Sequence, residues 1–200
     1  MQFLEKSTPH GHLEVWKHYP DGSKELHYKD DNVICSGMGA TLAEMFDADP
    51  DIDVENFQCV YFRCGSGGTD GAQVSSISDV VTPFDRTQYG TGNLTVNTHS
   101  LIANGTKTDN KPFGIIPHGY IKRVTPTKCM WQIVLDEQTL NVGEIDNVGY
   151  PEGYINEIGL FSKNPYVLGT DASLLCAYRY FKKIYKTDAF ILVFRWTIEF

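Results

Sequence analysis

The sequence has no apolar run long enough to cross a bilayer, so no membrane-spanning helix is expected. Residues Met1 to His10 carry no apolar core of the kind a secretory leader needs, so no export signal is expected either. Basic residues are scarce: 17 Lys and Arg stand against 25 Asp and Glu, a formal charge of −8. Nucleic-acid binding depends on a basic face, so no nucleic-acid partner is expected. Cysteine is limited to Cys35, Cys59, Cys64, Cys129 and Cys176, an odd and scattered set. Together with the missing leader, that predicts reduced core thiols and no disulfide framework. Internal repeats are absent.

What is present is enough for a core. Apolar residues make up 42% and aromatics 12% of 200 residues, which fits one domain or one domain with an appendage. The clearest periodicity closes the chain. Phe190, Leu192, Phe194, Trp196, Ile198 and Phe200 alternate with Ile191, Val193, Arg195, Thr197 and Glu199. That period of two predicts an antiparallel strand with one face on a core, locked between neighbours. Residues 12–19 and 24–29 read as strands joined by the turn Pro20-Asp21-Gly22-Ser23, with Asp30-Asp31-Asn32 breaking the pattern before Val33-Ile34-Cys35. Met38, Leu42, Met45 and Phe46 recur at helical spacing and predict one short helix that plugs a sheet. Residues 57–64, 120–125 and 129–135 read as further strands. In the last of these, Cys129, Trp131, Ile133 and Leu135 share a face. Residues 72–112 are polar and read as a long excursion with short strands, as an interaction arm would be.

Motifs that could carry chemistry are few. Asp47, Asp49, Asp51, Asp53 and Glu55 alternate, but a calcium loop beginning at Asp47 needs Gly in place of Ile52 and Glu in place of Gln58. The Gly65–Gly71 loop lacks the Gly-Lys-Ser/Thr of a phosphate cradle. His10 and His12 share a face of an extended segment, and His18 lies further along, but no metal set is indicated. Glu157 lies between Ile155 and Ile158. As a catalytic acid it would need a second carboxylate at a fixed separation. The plainer expectation is a structural carboxylate capping backbone donors at a bend, with Gly159 supplying an unusual dihedral or close approach and Lys186 a buried counter-charge.

The order Asn32-Val33-Ile34, Gly37-Met38-Gly39-Ala40-Thr41-Leu42-Ala43, Arg63-Cys64-Gly65-Ser66-Gly67-Gly68, Asn156-Glu157-Ile158-Gly159-Leu160-Phe161, Leu174-Leu175-Cys176-Ala177, Lys186-Thr187 and Trp196-Thr197-Ile198-Glu199-Phe200 resembles tailed-bacteriophage virion proteins of tails, baseplates and fibre attachments. The likeness runs from about residue 30 to the end as short motifs, and its ending is the specific part. The chain departs from the pattern at Cys176, where a small or apolar residue is usual, and in the 72–112 excursion. The resemblance implies a non-enzymatic, β-rich structural component present in multiple copies.

The combined expectation is a mainly β fold, an antiparallel β-sandwich with one short helix and long loops. Residues 1–31 would form a hairpin or arm, and 32–200 the sandwich with its excursion at 65–112. The structural motif is Asn156, Glu157, Gly159, Phe161, Lys186 and Trp196. No catalytic, metal or cofactor site is expected. Partners would be other virion proteins and further copies of the chain, joined through loops 65–112 and 136–153, with assembly in the host cytoplasm. The rival reading is a receptor- or carbohydrate-binding module of a tail fibre, with Tyr89, Tyr120, Tyr150 and Tyr166 stacking on sugars.

Overall fold

The computed structural model describes residues 9–47, 57–65, 114–137, 154–162 and 174–200. The acidic run beyond Asp47, the glycine loop beyond Gly65, the 72–112 excursion, the loop at 138–153, and Tyr89, Tyr150 and Tyr166 lie outside those residues.

The fold is mainly antiparallel β with one short helix. Strands are β1 (His10–His18), β2 (Lys24–Ile34), β3 (Cys59–Gly65), β4 (Gly114–Ile115), β5 (Ile121–Thr125), β6 (Lys128–Leu135), β7 (Ile155–Ser162), β8 (Leu174–Ile184) and β9 (Ile191–Glu199), with α1 at Ser36–Asp47. They form one nine-stranded sheet in the order β4-β3-β7-β8-β2-β1-β9-β6-β5. The two layers of the sandwich are the two arms of this curled sheet. β2 is the corner. Its first stretch pairs with β1, while Val33 and Ile34 pair with Tyr178 and Ala177 of β8. Across the far side, the Trp131 Nε1 of β6 donates to the Cys59 carbonyl at the start of β3, 2.9 Å away.

The β1–β2 connection follows its sequence closely. Gly22 has φ 84°, which a side chain would resist. Asp21 Oδ1 accepts from the Ser23 amide at 2.8 Å and from its hydroxyl at 2.6 Å. The hairpin is no separate arm from Pro9 onward, because β1 is an interior strand between β2 and β9. Asp30-Asp31-Asn32 does not interrupt β2 as expected. These residues pair with Leu13, His12 and Gly11. Their polarity is absorbed locally: Arg179 of β8 forms an ion pair with Asp30, and the Asn32 side chain occupies the space beside Gly11.

β9 lies between β1 and β6, as its alternation predicts. Leu192, Phe194, Trp196 and Ile198 are completely buried. They face Leu13 and Val15 of β1 and Trp131, Ile133 and Leu135 of β6, with Trp131 directly opposite Trp196. The other arm contributes Phe62, Ile158, Leu160 and Phe181 to the same core. β7 is buried along its whole length on both faces, so its sequence reads as continuous rather than alternating.

The helix is where sequence periodicity and structure part. Met38 is buried and Leu42 partly so, but Phe46 is 85% exposed. The residues that seat α1 on the sheet include the small ones. Ala40 and Thr41 are buried, and a Cβ on Gly37 would stand 2.7 Å from the carbonyl carbon of Leu175 and closer still to its oxygen. Small residues permit the close approach that larger apolar ones forbid. Toward the end of the helix, Met45 and Phe46 are exposed.

Candidate functional site

The expected motif is distributed over β7, β9 and the β8–β9 connection, and it is interior. Asn156, Phe161, Lys186 and Trp196 are completely buried, and Glu157 is 1% exposed. Glu157 does not sit at a bend. It lies within β7, opposite Gly65 of β3 and Tyr180 of β8. The local irregularity is a register shift between Ile155 and Glu157 against β8. Gly159 pairs with Arg63 and Tyr178 in the strand. Gly22 is the positive-φ glycine among the described residues, so the unusual dihedral expected of Gly159 is not found.

The Glu157 carboxylate accepts a 2.6 Å hydrogen bond from the Tyr178 hydroxyl. Two strand faces bring these groups together: Tyr178 belongs to the small outer cluster with Cys35, Phe161 and Leu175. Burial drives the Tyr178 hydroxyl well above its ordinary value, and the nearby Glu157 charge adds to the effect. Burial likewise pushes the Cys64 thiol up, again reinforced by Glu157. Lys186 Nζ donates to the Thr187 carbonyl at 2.8 Å and stands 5.4 Å from the centre of the Phe190 ring.

A second polar cluster lies under α1. Thr41 Oγ1 and Ser162 Oγ are 2.7 Å apart, and Thr41 Oγ1 lies 3.7 Å from Cys176 Sγ. The hydrogen bond to Cys176, then burial, holds the Cys59 thiol well above its ordinary value, so Cys59 remains a neutral donor. All five cysteines are free thiols. The Cys176 sulfur is thus placed to accept from two strands and the helix.

Above this cluster opens an apolar pocket of about 360 Å³ between α1, the start of β3 and the β5–β6 hairpin. Met38, Leu42, Met45, Cys59, Ile121 and Trp131 are among its walls. Nothing in local periodicity marks it, because its walls come from four separate segments. The signal that could have pointed to it is the run of Met38, Leu42 and Met45, all three of which line it.

The histidines separate. His12 Nδ1 lies 3.0 Å from Asp31, and His10 lies 3.8 Å from Glu199. His18 Nε2 is buried without a hydrogen-bond partner, and burial holds its pKa below the ordinary value. Among the described residues no group of three His, Cys, Asp or Glu side chains is placed to hold a metal ion. Nor is any helix among them long and apolar enough to cross a membrane. No protein-family model, curated protein or solved structure matches the chain.

Proposed function

We propose that this chain is a non-enzymatic structural subunit of a tailed-phage virion, assembled in multiple copies in the tail, baseplate or neck after folding in the host cytoplasm. The observation that carries the reading is the convergence of its scattered motifs. Val33 and Ile34 pair with the strand holding Leu174-Leu175-Cys176-Ala177. Gly37 packs on Leu175, and the Cys35 amide donates to the Cys176 carbonyl at 2.9 Å. Thr41 reaches Ser162, the residue after Asn156–Phe161. Segments more than a hundred residues apart thus meet in one packing unit, as expected of motifs that specify a common framework. Such a framework leaves the remaining surface to vary with the neighbours it must contact.

The test is the location of the chain. Mass spectrometry of purified particles should find it at several copies per virion, and a reconstruction should place it on the tail axis. Its absence from particles would remove the proposal.

A further inference from the structure

We propose that the seam between β2 and β8 is an acid-sensitive latch, held shut by His27 and loosened when that imidazole takes up a proton. The latch is independent of the chain's place in any particle.

β2 and β8 share a short ladder. Val33 and Ile34 pair with Tyr178 and Ala177, and the Cys35 amide donates to the Cys176 carbonyl at 2.9 Å. From Lys24 to Asn32, β2 pairs with β1 instead. Along that stretch side chains tie β2 to β8. Arg179 donates to the Tyr28 hydroxyl and forms an ion pair with Asp30. The Tyr28 and Phe181 rings stand 6.0 Å apart. Nearer the hairpin turn, His27 Nε2 lies 3.1 Å from the Lys182 carbonyl oxygen. A carbonyl oxygen only accepts, so the proton of the neutral ring is on Nε2. A bulge sets up this contact. Val15 opposes Tyr28 and Trp16 opposes Leu26, which leaves His27 outside the β1 register. Bulges re-aim side chains, and here the imidazole stands in for a ladder hydrogen bond to β8.

The surroundings of His27 oppose a second proton. The charges that face it are Lys17 from β1, Lys182 from β8 and Glu25 from β2 itself. Glu25 is already engaged, by the Tyr19 hydroxyl at 2.6 Å and by Lys17 Nζ at 3.4 Å. Burial above all holds the His27 pKa below its ordinary 6.5. Lys17 and Lys182 add to the effect, against the Lys182 carbonyl and Glu25. An open seam therefore takes up the proton more readily than a closed one. Closure is fully favoured above pH 6.5 and weakens as the pH falls below it toward the lower folded-state value. The long β1–β9 and β7–β8 ladders hold each arm together meanwhile. His18, whose pKa burial also lowers, lies on β1 between Lys24 and Ile191 and supplies the control.

Hydrogen exchange of the full chain, resolved by NMR and corrected for intrinsic rates, tests the latch. The Cys35 amide should open severalfold more often at about pH 5 than at about pH 7, and amides of the β1–β9 ladder should change less. His27→Gln keeps a donor for Lys182 but takes up no proton, so it should abolish the difference. His18→Gln should preserve it. Lys182→Gln removes a facing cation and leaves the carbonyl. It should raise the midpoint of the His27 imidazole titration and shrink the difference. An acid response that persists in His27→Gln, or that vanishes only in His18→Gln, overturns the proposal. So does a Cys35 amide that opens alike at both pH values. Should His27→Gln fail to fold, an unchanged response in Lys182→Gln overturns it.

Discussion

Replacing Gly37 with alanine adds one methyl group where the helix meets the sheet. The new Cβ would lie 2.7 Å from the Leu175 carbonyl carbon and 3.0 Å from its amide nitrogen. These are backbone atoms of an interior strand, so no side chain can swing aside and α1 must shift. Overpacking of this kind costs about 3 kcal/mol, near the top of its usual range. Alanine recovers up to about 1 kcal/mol through its better helix propensity. The net loss is about 2 kcal/mol. Gly39, two residues on, has open space where its Cβ would be. There the same substitution should stabilise by about 0.5–1 kcal/mol. For a chain of this size each kcal/mol moves the midpoint by about 2–4 °C. Gly37→Ala should therefore melt about 4–8 °C lower and Gly39→Ala about 1–4 °C higher, by circular dichroism. Equal shifts for the two variants would refute the close approach of α1 to β8.

Tyr178→Phe removes a donor from the buried Glu157 carboxylate and should cost about 1–3 kcal/mol in urea unfolding at neutral pH. The same region governs alkaline stability. Cys35, Cys64 and Tyr178 have pKa values raised in the folded state above ordinary values of 9.0 for the thiols and 10.0 for the phenol. Their stabilisation is complete below those values. It declines once the pH exceeds 9.0 for the thiols and 10.0 for Tyr178, because only the unfolded chain then releases the protons. Unfolding midpoints should fall from about pH 9 upward, with Tyr178→Phe sparing the steeper part above about pH 10; a flat profile between pH 8 and 11 would contradict this burial. Trp131→Phe removes the hydrogen bond that joins β6 to the Cys59 carbonyl and should cost about 1–2 kcal/mol. It should also speed hydrogen exchange in β3 more than in β9, and uniform exchange would argue against a seam held at that point.

The strand character of the closing segment was legible because alternation is a local property. Each of Leu192, Phe194, Trp196 and Ile198 faces inward by virtue of its own position, whatever its neighbours turn out to be. The turn at Asp21-Gly22 was legible for the same reason, since the Asp21 carboxylate and the Gly22 dihedral act within four residues. Periodicity could not say which part of the Met38–Phe46 face is used. That depends on how near α1 approaches β8, and Gly37 and Thr41 set the approach through Leu175 and Ser162. The expected bend at Glu157 failed likewise. Its hydroxyl partner lies 21 residues away on the next strand, and only sheet register brings the two together. The continuity of β2 through Asp30-Asp31-Asn32 required Arg179 and the space beside Gly11, both distant in sequence. Sequence alone determined the mainly β class, the short helix α1, the hairpin turn and the inward face of β9. Tertiary structure decided the joining of two layers at β2, the buried Glu157–Tyr178 pair and the apolar pocket beside Phe46, because each depends on contacts between segments whose separation along the chain carries no periodic signal.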